Sequence, residues 1–130
     1  MSDKYKLLKE QIQSTIDDCS SYCGGKFKDE IKNYFSSLYD FHNGSQFSLL
    51  NKYLTHIENI FSRDNLNILN LGTESGLFAF LAKERGHSVT TIDYYFNLHE
   101  YNNVNEFTYM QLKNFINLKI QSTLNVNYNS

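Results

Sequence analysis

The segment from Asn67 to Asp93 constrains this chain more than any other. Ile68-Leu69-Asn70-Leu71 is a short apolar run that ends at Gly72, the pattern of a buried strand. Ser75 to Arg85 follows as a helix, with Leu77, Phe78, Leu81 and Ala82 on its apolar side. Gly86-His87 turns the chain, and Ser88-Val89-Thr90-Thr91-Ile92 is β-branched and strand-like up to Asp93. A strand, a helix and a second strand in this order imply a right-handed crossover between two parallel strands.

What precedes the segment reads as helix. Proline is absent, so glycine and polar clusters punctuate the chain. Tyr5, Leu8, Ile12, Ile16, Cys19 and Cys23 recur at steps of three and four, and Gly24-Gly25 ends that face. Phe27, Ile31, Tyr34, Phe35, Leu38 and Phe41 mark a second helix closed by Gly44. Ser45 is an expected N-cap for a third, whose inner face carries Phe47, Leu50, Leu54, Ile57 and Phe61 before Asp64-Asn65 breaks the period. Residues 1–65 are thus a helical lead-in, and residues 66–130 a parallel-sheet unit of the same structural domain. The fold class is α/β.

After Asp93 the pattern is mixed. Tyr94 to Glu106 is polar and Asn-rich and reads mostly as loop. Phe107-Thr108-Tyr109-Met110-Gln111 has strand propensity and is expected as a third parallel strand. A rival reading makes Asn105 to Gln121 one helix, on Tyr109, Leu112, Phe115, Ile116 and Leu118. Ser122 to Ser130 is a polar tail.

With 130 residues, 41% of them hydrophobic and 15% aromatic, the chain has enough apolar mass for one core. The net charge of -2 and the lack of a basic stripe leave no electrostatic footprint for nucleic acid. No signal peptide and no membrane-spanning stretch are read, so the expected location is cytoplasmic. Cys19 and Cys23 could be half of a metal site, but no second ligand pair stands at zinc-like spacing; reduced thiols are expected, and no metal. His42, His56, His87 and His99 are scattered, and none can be given a partner acid or nucleophile. No catalytic residue is assigned.

Chemistry is best carried by the turn after the first strand. Left-handed glycines let backbone approach a ligand, a helix N-terminus offers free N–H groups, and an acid at the end of the next strand can accept from ribose hydroxyls. Gly72 and Gly76 bracket the turn, and Asp93 closes the second strand. A dinucleotide fingerprint from Gly72 would need glycine where Glu74 and Leu77 stand. Asn70-Leu71-Gly72-Thr73-Glu74-Ser75-Gly76 instead resembles the first motif of class I S-adenosylmethionine-dependent methyltransferases, an acidic residue, any residue, then G-x-G-x-G. The stretch from Gly76 to Asp93 is similar to that family's first helix and second strand.

The resemblance implies a partial Rossmann-like sheet of two or three strands, against seven in the family. It implies S-adenosylmethionine as cofactor. The cofactor-binding residues would be Asn70, Gly72, Thr73, Glu74, Gly76, Asp93 and Tyr94: the turn under the methionine part, Asp93 on the ribose, Tyr94 against the adenine. The sequence departs from the family at three places. Asn70 stands for the first acid, Glu74 for the middle glycine, and Leu112 and Lys113 where an acid often reaches the adenine amine. Two functional expectations follow. One is the cofactor-binding half of a methyltransferase-like domain. The other is a non-catalytic interaction or oligomerisation domain derived from that fold, its sheet completed by a second copy or a partner protein.

Overall fold

The computed structural model describes residues 3–36, 38, 46–62, 65–72, 74–92 and 103–126. The helix α1, Asp3–Ser20, buries Ile12, Ile16 and Cys19 on the face that the heptad-like spacing marks. It stops one turn before the expected end. The Ser20 and Ser21 hydroxyls donate to the carbonyls of Asp17 and Asp18, at 2.8 and 2.9 Å, taking up acceptors at the helix end. Tyr22 is extended, and Cys23–Gly25 form a single 3-10 turn with all three residues at positive φ. That turn reverses the chain into α2, Lys28–Ser36, which buries Ile31 and Phe35 against α1.

In α3, Gln46–Phe61, Leu54 is the buried residue, with Phe47 and Leu50 half-buried beside it. Phe61, expected on the inner face, is 60% exposed, because the last turn of α3 runs past the core. The expected caps at Gly44 and Ser45, and the second helix beyond Leu38, fall outside the described residues.

Strands β1, Asn67–Leu71, and β2, Ser88–Ile92, pair in parallel from Asn67↔Ser88 to Leu71↔Ile92. Between them α4, Leu77–Glu84, buries Leu77, Ala79, Phe80, Leu81 and Ala82, because it lies between α3 and β2. Ile68, Asn70, Val89 and Thr91 face this helical side. Asn67, Leu69, Leu71, Ser88, Thr90 and Ile92 are exposed on the other. The expectation of a strand buried on both faces is thereby corrected: among the described residues one face is covered, leaving Leu69 at 59% and Leu71 at 68% exposure.

The expected third strand is also corrected. Phe107 and Thr108 lead into α5, Tyr109–Thr123, and the described residues hold a two-stranded sheet. Thr108 and Gln111 form a capping box. The Gln111 N–H donates to Thr108 Oγ1 at 3.2 Å, and the Thr108 N–H donates to Gln111 Oε1 at 2.9 Å. From there Leu112, Phe115, Ile116 and Ile120 line a helical face that packs on α1. A 3-10 turn, Val104–Glu106, precedes it inside the segment read as loop. One continuous cluster of buried residues runs from Ile12 through Leu54 and Ala79 to Ile116 and Val126. No helix among the described residues is long and apolar enough to cross a membrane.

Candidate functional site

β1 ends at Leu71 and the chain turns under its own sheet. Gly72, at φ +68, donates its N–H to the Ile92 carbonyl at 2.7 Å and so ties the turn to the end of β2. Glu74 sits at φ +52 and Gly76 at φ +87, after which the Phe80 N–H donating to the Gly76 carbonyl starts α4. The two glycines are required for different reasons. A Cβ on Gly72 would meet nothing within 4 Å, so only its backbone angle demands glycine. A Cβ on Gly76 would lie 3.3 Å from Gln121 Cγ and 3.5 Å from Val126. The end of α5 is therefore packed against the turn. Gln121 also donates through Nε2 to the Glu74 carbonyl.

A cleft of roughly 140 Å³ opens at this point. It is lined by Asn70, Gly72, Glu74 and Ser75 at the turn, by Leu77 and Phe78 of α4, and by Leu38, Gln46 and Leu50. Three of the expected cofactor residues, Asn70, Gly72 and Glu74, thus share a cleft, while Gly76 supports the turn from behind. Thr73, Asp93 and Tyr94 lie outside the described residues, as do His42 and His99. Ser75, Gln46 and Phe78 were given no site role from the sequence. Gln46 reaches the cleft only because α3 docks beside the turn, which no local pattern encodes.

Glu74 is the one charged residue among those described as lining the cleft. The Tyr34 hydroxyl donates to its Oε2 in a long contact of 3.4 Å. Burial, and then the Glu74 charge, push the Tyr34 phenol above its ordinary value, so it remains a donor at neutral pH. Lys113 Nζ stands 4.7 Å from the centre of the Tyr34 ring, a cation–π distance. Leu112 is fully buried. Both residues lie on a helix rather than at a strand end, so the positional comparison made for them from the sequence does not hold.

A dense polar cluster among the described residues lies elsewhere. Arg85, at the end of α4, donates to both Glu58 carboxylate oxygens, to the Asn51 carbonyl at 3.0 Å and to Thr55 Oγ1 at 3.0 Å. His87, its side chain wholly buried, accepts at Nδ1 from the Leu66 N–H at 3.0 Å. That leaves Nε2 to carry the proton of the neutral ring and donate it to Glu58 Oε2 at 2.7 Å. Both ring nitrogens are engaged, so His87 is a packing residue rather than a base. Asn51, Thr55 and Glu58 form a polar stripe at helical spacing, the sequence signal that could have located the cluster.

The two thiols are also accounted for. Burial pushes the Cys19 thiol up to about 11, well away from a reactive thiolate. Cys23 donates through Sγ to the Val104 carbonyl at 3.0 Å, linking its turn to the one before α5.

No family model, curated protein or solved structure matches this chain. The cleft has to be read on its own chemistry. Its lining offers an open glycine backbone, neutral amide side chains and one carboxylate. Its volume is below the several hundred Å³ usual for a whole small-molecule site.

Proposed function

We propose that the chain is a methyltransferase-like domain that binds S-adenosylmethionine at the turn between β1 and α4. One observation carries the reading: a cleft lies outside the carboxyl end of a parallel strand, with Asn70, Gly72 and Glu74 on its wall. Ligands of open α/β sheets bind at that place, because the turn exposes backbone and a helix N-terminus together. When bound, the cofactor supplies an electrophilic methyl group. The residues of this chain would hold its amino-acid end at Gly72 and Glu74 and its ribose at Asp93, and exclude water with Leu77 and Phe78. No residue is assigned as a base.

Calorimetric titration with S-adenosylmethionine and its demethylated product tests the proposal, alongside Gly72→Val and Asp93→Ala. Saturable binding lost in both variants is the expected result. Absence of both heat and thermal shift at millimolar ligand would sink it, since a ligand that binds the folded state must stabilise it.

A second reading is favoured by a separate observation. Leu69, Leu71 and Ile92 project together at the carboxyl end of the sheet from the face that the described residues leave uncovered, at 59%, 68% and 40% exposure. This supports a non-catalytic interaction or oligomerisation domain whose sheet is completed by a second copy or a partner protein. Light scattering tests the homo-oligomer: a mass that falls in the double variant Leu69→Lys, Leu71→Lys is expected. A folded wild-type monomer at high concentration would remove it.

A further inference from the structure

We propose that the outward side of α3 pairs with the same side of a second copy of this chain, the two helices running antiparallel about a two-fold axis. This surface is separate from the cleft and from the open face of the sheet.

α3 turns its polar side inward. Arg85 donates to the Asn51 carbonyl, to Thr55 Oγ1 and to both Glu58 carboxylate oxygens, and His87 holds Glu58 as well. Leu54 is buried beside them, and Leu50 and Ile57 are half-buried. These contacts fix the rotation of the helix, so the side left over is set by the fold. It carries Leu49, Tyr53 and Ile60 at 62%, 56% and 61% exposure, with His56 exposed between the last two. Single exposed apolar residues are ordinary, whereas three along one line of a helix form a patch. Steps of four, three and four are the spacing of a helix–helix seam, where a 3.5-residue repeat keeps one line of side chains toward a partner. The Tyr53 ring also lies 6.2 Å from the Phe78 ring, which steadies it at the surface.

A two-fold interface has to match itself when reversed. This seam does. With the axis midway between Leu54 and Thr55, Leu49 falls opposite Ile60 of the second copy and Tyr53 opposite His56. Aliphatic side chains then meet at the ends and rings at the centre. Lys52, the one fixed charge among the described residues of this side, falls opposite Ile57 rather than its own symmetry mate. At one flank Ile57 and Phe61 carry the apolar surface on into a groove with Leu66 and Ile68. Together the seam, its flanks and Phe61 expose roughly 800 Å² per copy, the share that one partner gives to a standard stable interface.

Light scattering on the full chain at roughly 100 μM is expected to give a dimer mass. The double variant Leu49→Glu, Ile60→Glu is expected to give a monomer with an unchanged circular dichroism spectrum, since both side chains are exposed. Its dissociation constant should rise at least about a hundredfold, tenfold for each apolar anchor lost. Leu69→Lys with Leu71→Lys is expected to leave the dimer intact. Register is read by oxidising a mixture of two variants, Leu49→Cys and Ile60→Cys, which should crosslink to each other, while Leu49→Cys alone should not. The unsubstituted chain, with Cys19 buried and Cys23 half-buried, serves as the blank. A monomeric wild-type chain at that concentration would overturn the proposal, and so would self-crosslinking of Leu49→Cys. A dimer that survives the α3 variant but is lost in the sheet variant would also overturn it, and would uphold the sheet strip instead.

Discussion

Glu58 accepts hydrogen bonds from two side chains that return to it 27 and 29 positions later, Arg85 and His87. Partial burial alone would push its carboxyl up. The hydrogen bonds from His87 and Arg85, together with the Arg85 charge, outweigh burial and hold it below the ordinary value of 4.5. The folded state therefore favours the ionised form, and the stabilisation is fully present above that ordinary value. It is lost as the pH falls through the lower value of the folded protein. Denaturant unfolding between about pH 6 and pH 3 is expected to show this loss, and Glu58→Gln to flatten it. At neutral pH the same variant is expected to cost about 1–3 kcal/mol, since Arg85 would keep a charge with a weakened partner. The glycines of the turn offer a second comparison. Gly72→Ala should cost about 1–2 kcal/mol for its left-handed angle alone. Gly76→Ala should cost more, because its methyl group also meets Gln121 at 3.3 Å. Equal melting temperatures for the two variants would contradict that account.

At the scale of the element, α5 is the instructive case. Phe107 to Met110 is rich in residues that favour strands, and that local preference misleads. Thr108-Tyr109-Met110-Gln111 is also the S/T-x-x-Q signature of a helix start, and both reciprocal bonds are made. The long apolar stripe from Leu112 to Ile120 then decides for helix over strand, since tertiary burial outweighs propensity. Thr108→Ala is expected to lower stability by about 1 kcal/mol, read as a shift in the denaturation midpoint. The strands at Asn67–Leu71 and Ser88–Ile92 were legible because glycines and β-branched residues bound them closely. Which face of β1 is covered was not. Leu69 and Leu71 alternate with Ile68 and Asn70, so the apolar run looks buried throughout while the pleat exposes every second residue. The helices were legible as periods, and their ends were not, since Ser20 and Ser21 terminate α1 through side-chain bonds rather than through glycine.

For the whole molecule, the candidate site was legible in its core, Asn70, Gly72 and Glu74, because the turn is contiguous in sequence. Its far wall and its buttress were not, since Gln46, Leu50 and Gln121 arrive from α3 and α5 by long-range packing. The open sheet face belongs to this scale as well. Leu69, Leu71 and Ile92 form an exposed apolar strip whose hydration carries a cost that cover by a second copy or a partner would remove. If the strip is covered in solution, Leu71→Lys is expected to raise solubility and lower the apparent mass without loss of secondary structure by circular dichroism.

The contact between Gln121 and the glycine turn has a temporal side. A turn whose carbonyl is held from 47 residues downstream cannot settle into its final shape until the last helix has docked. The cleft would then be among the late parts of the molecule to mature during folding, since distant contacts form slowly. Amide exchange at Gly76 and at Gln121 should report a single opening event, and separate rates would show that the turn forms on its own.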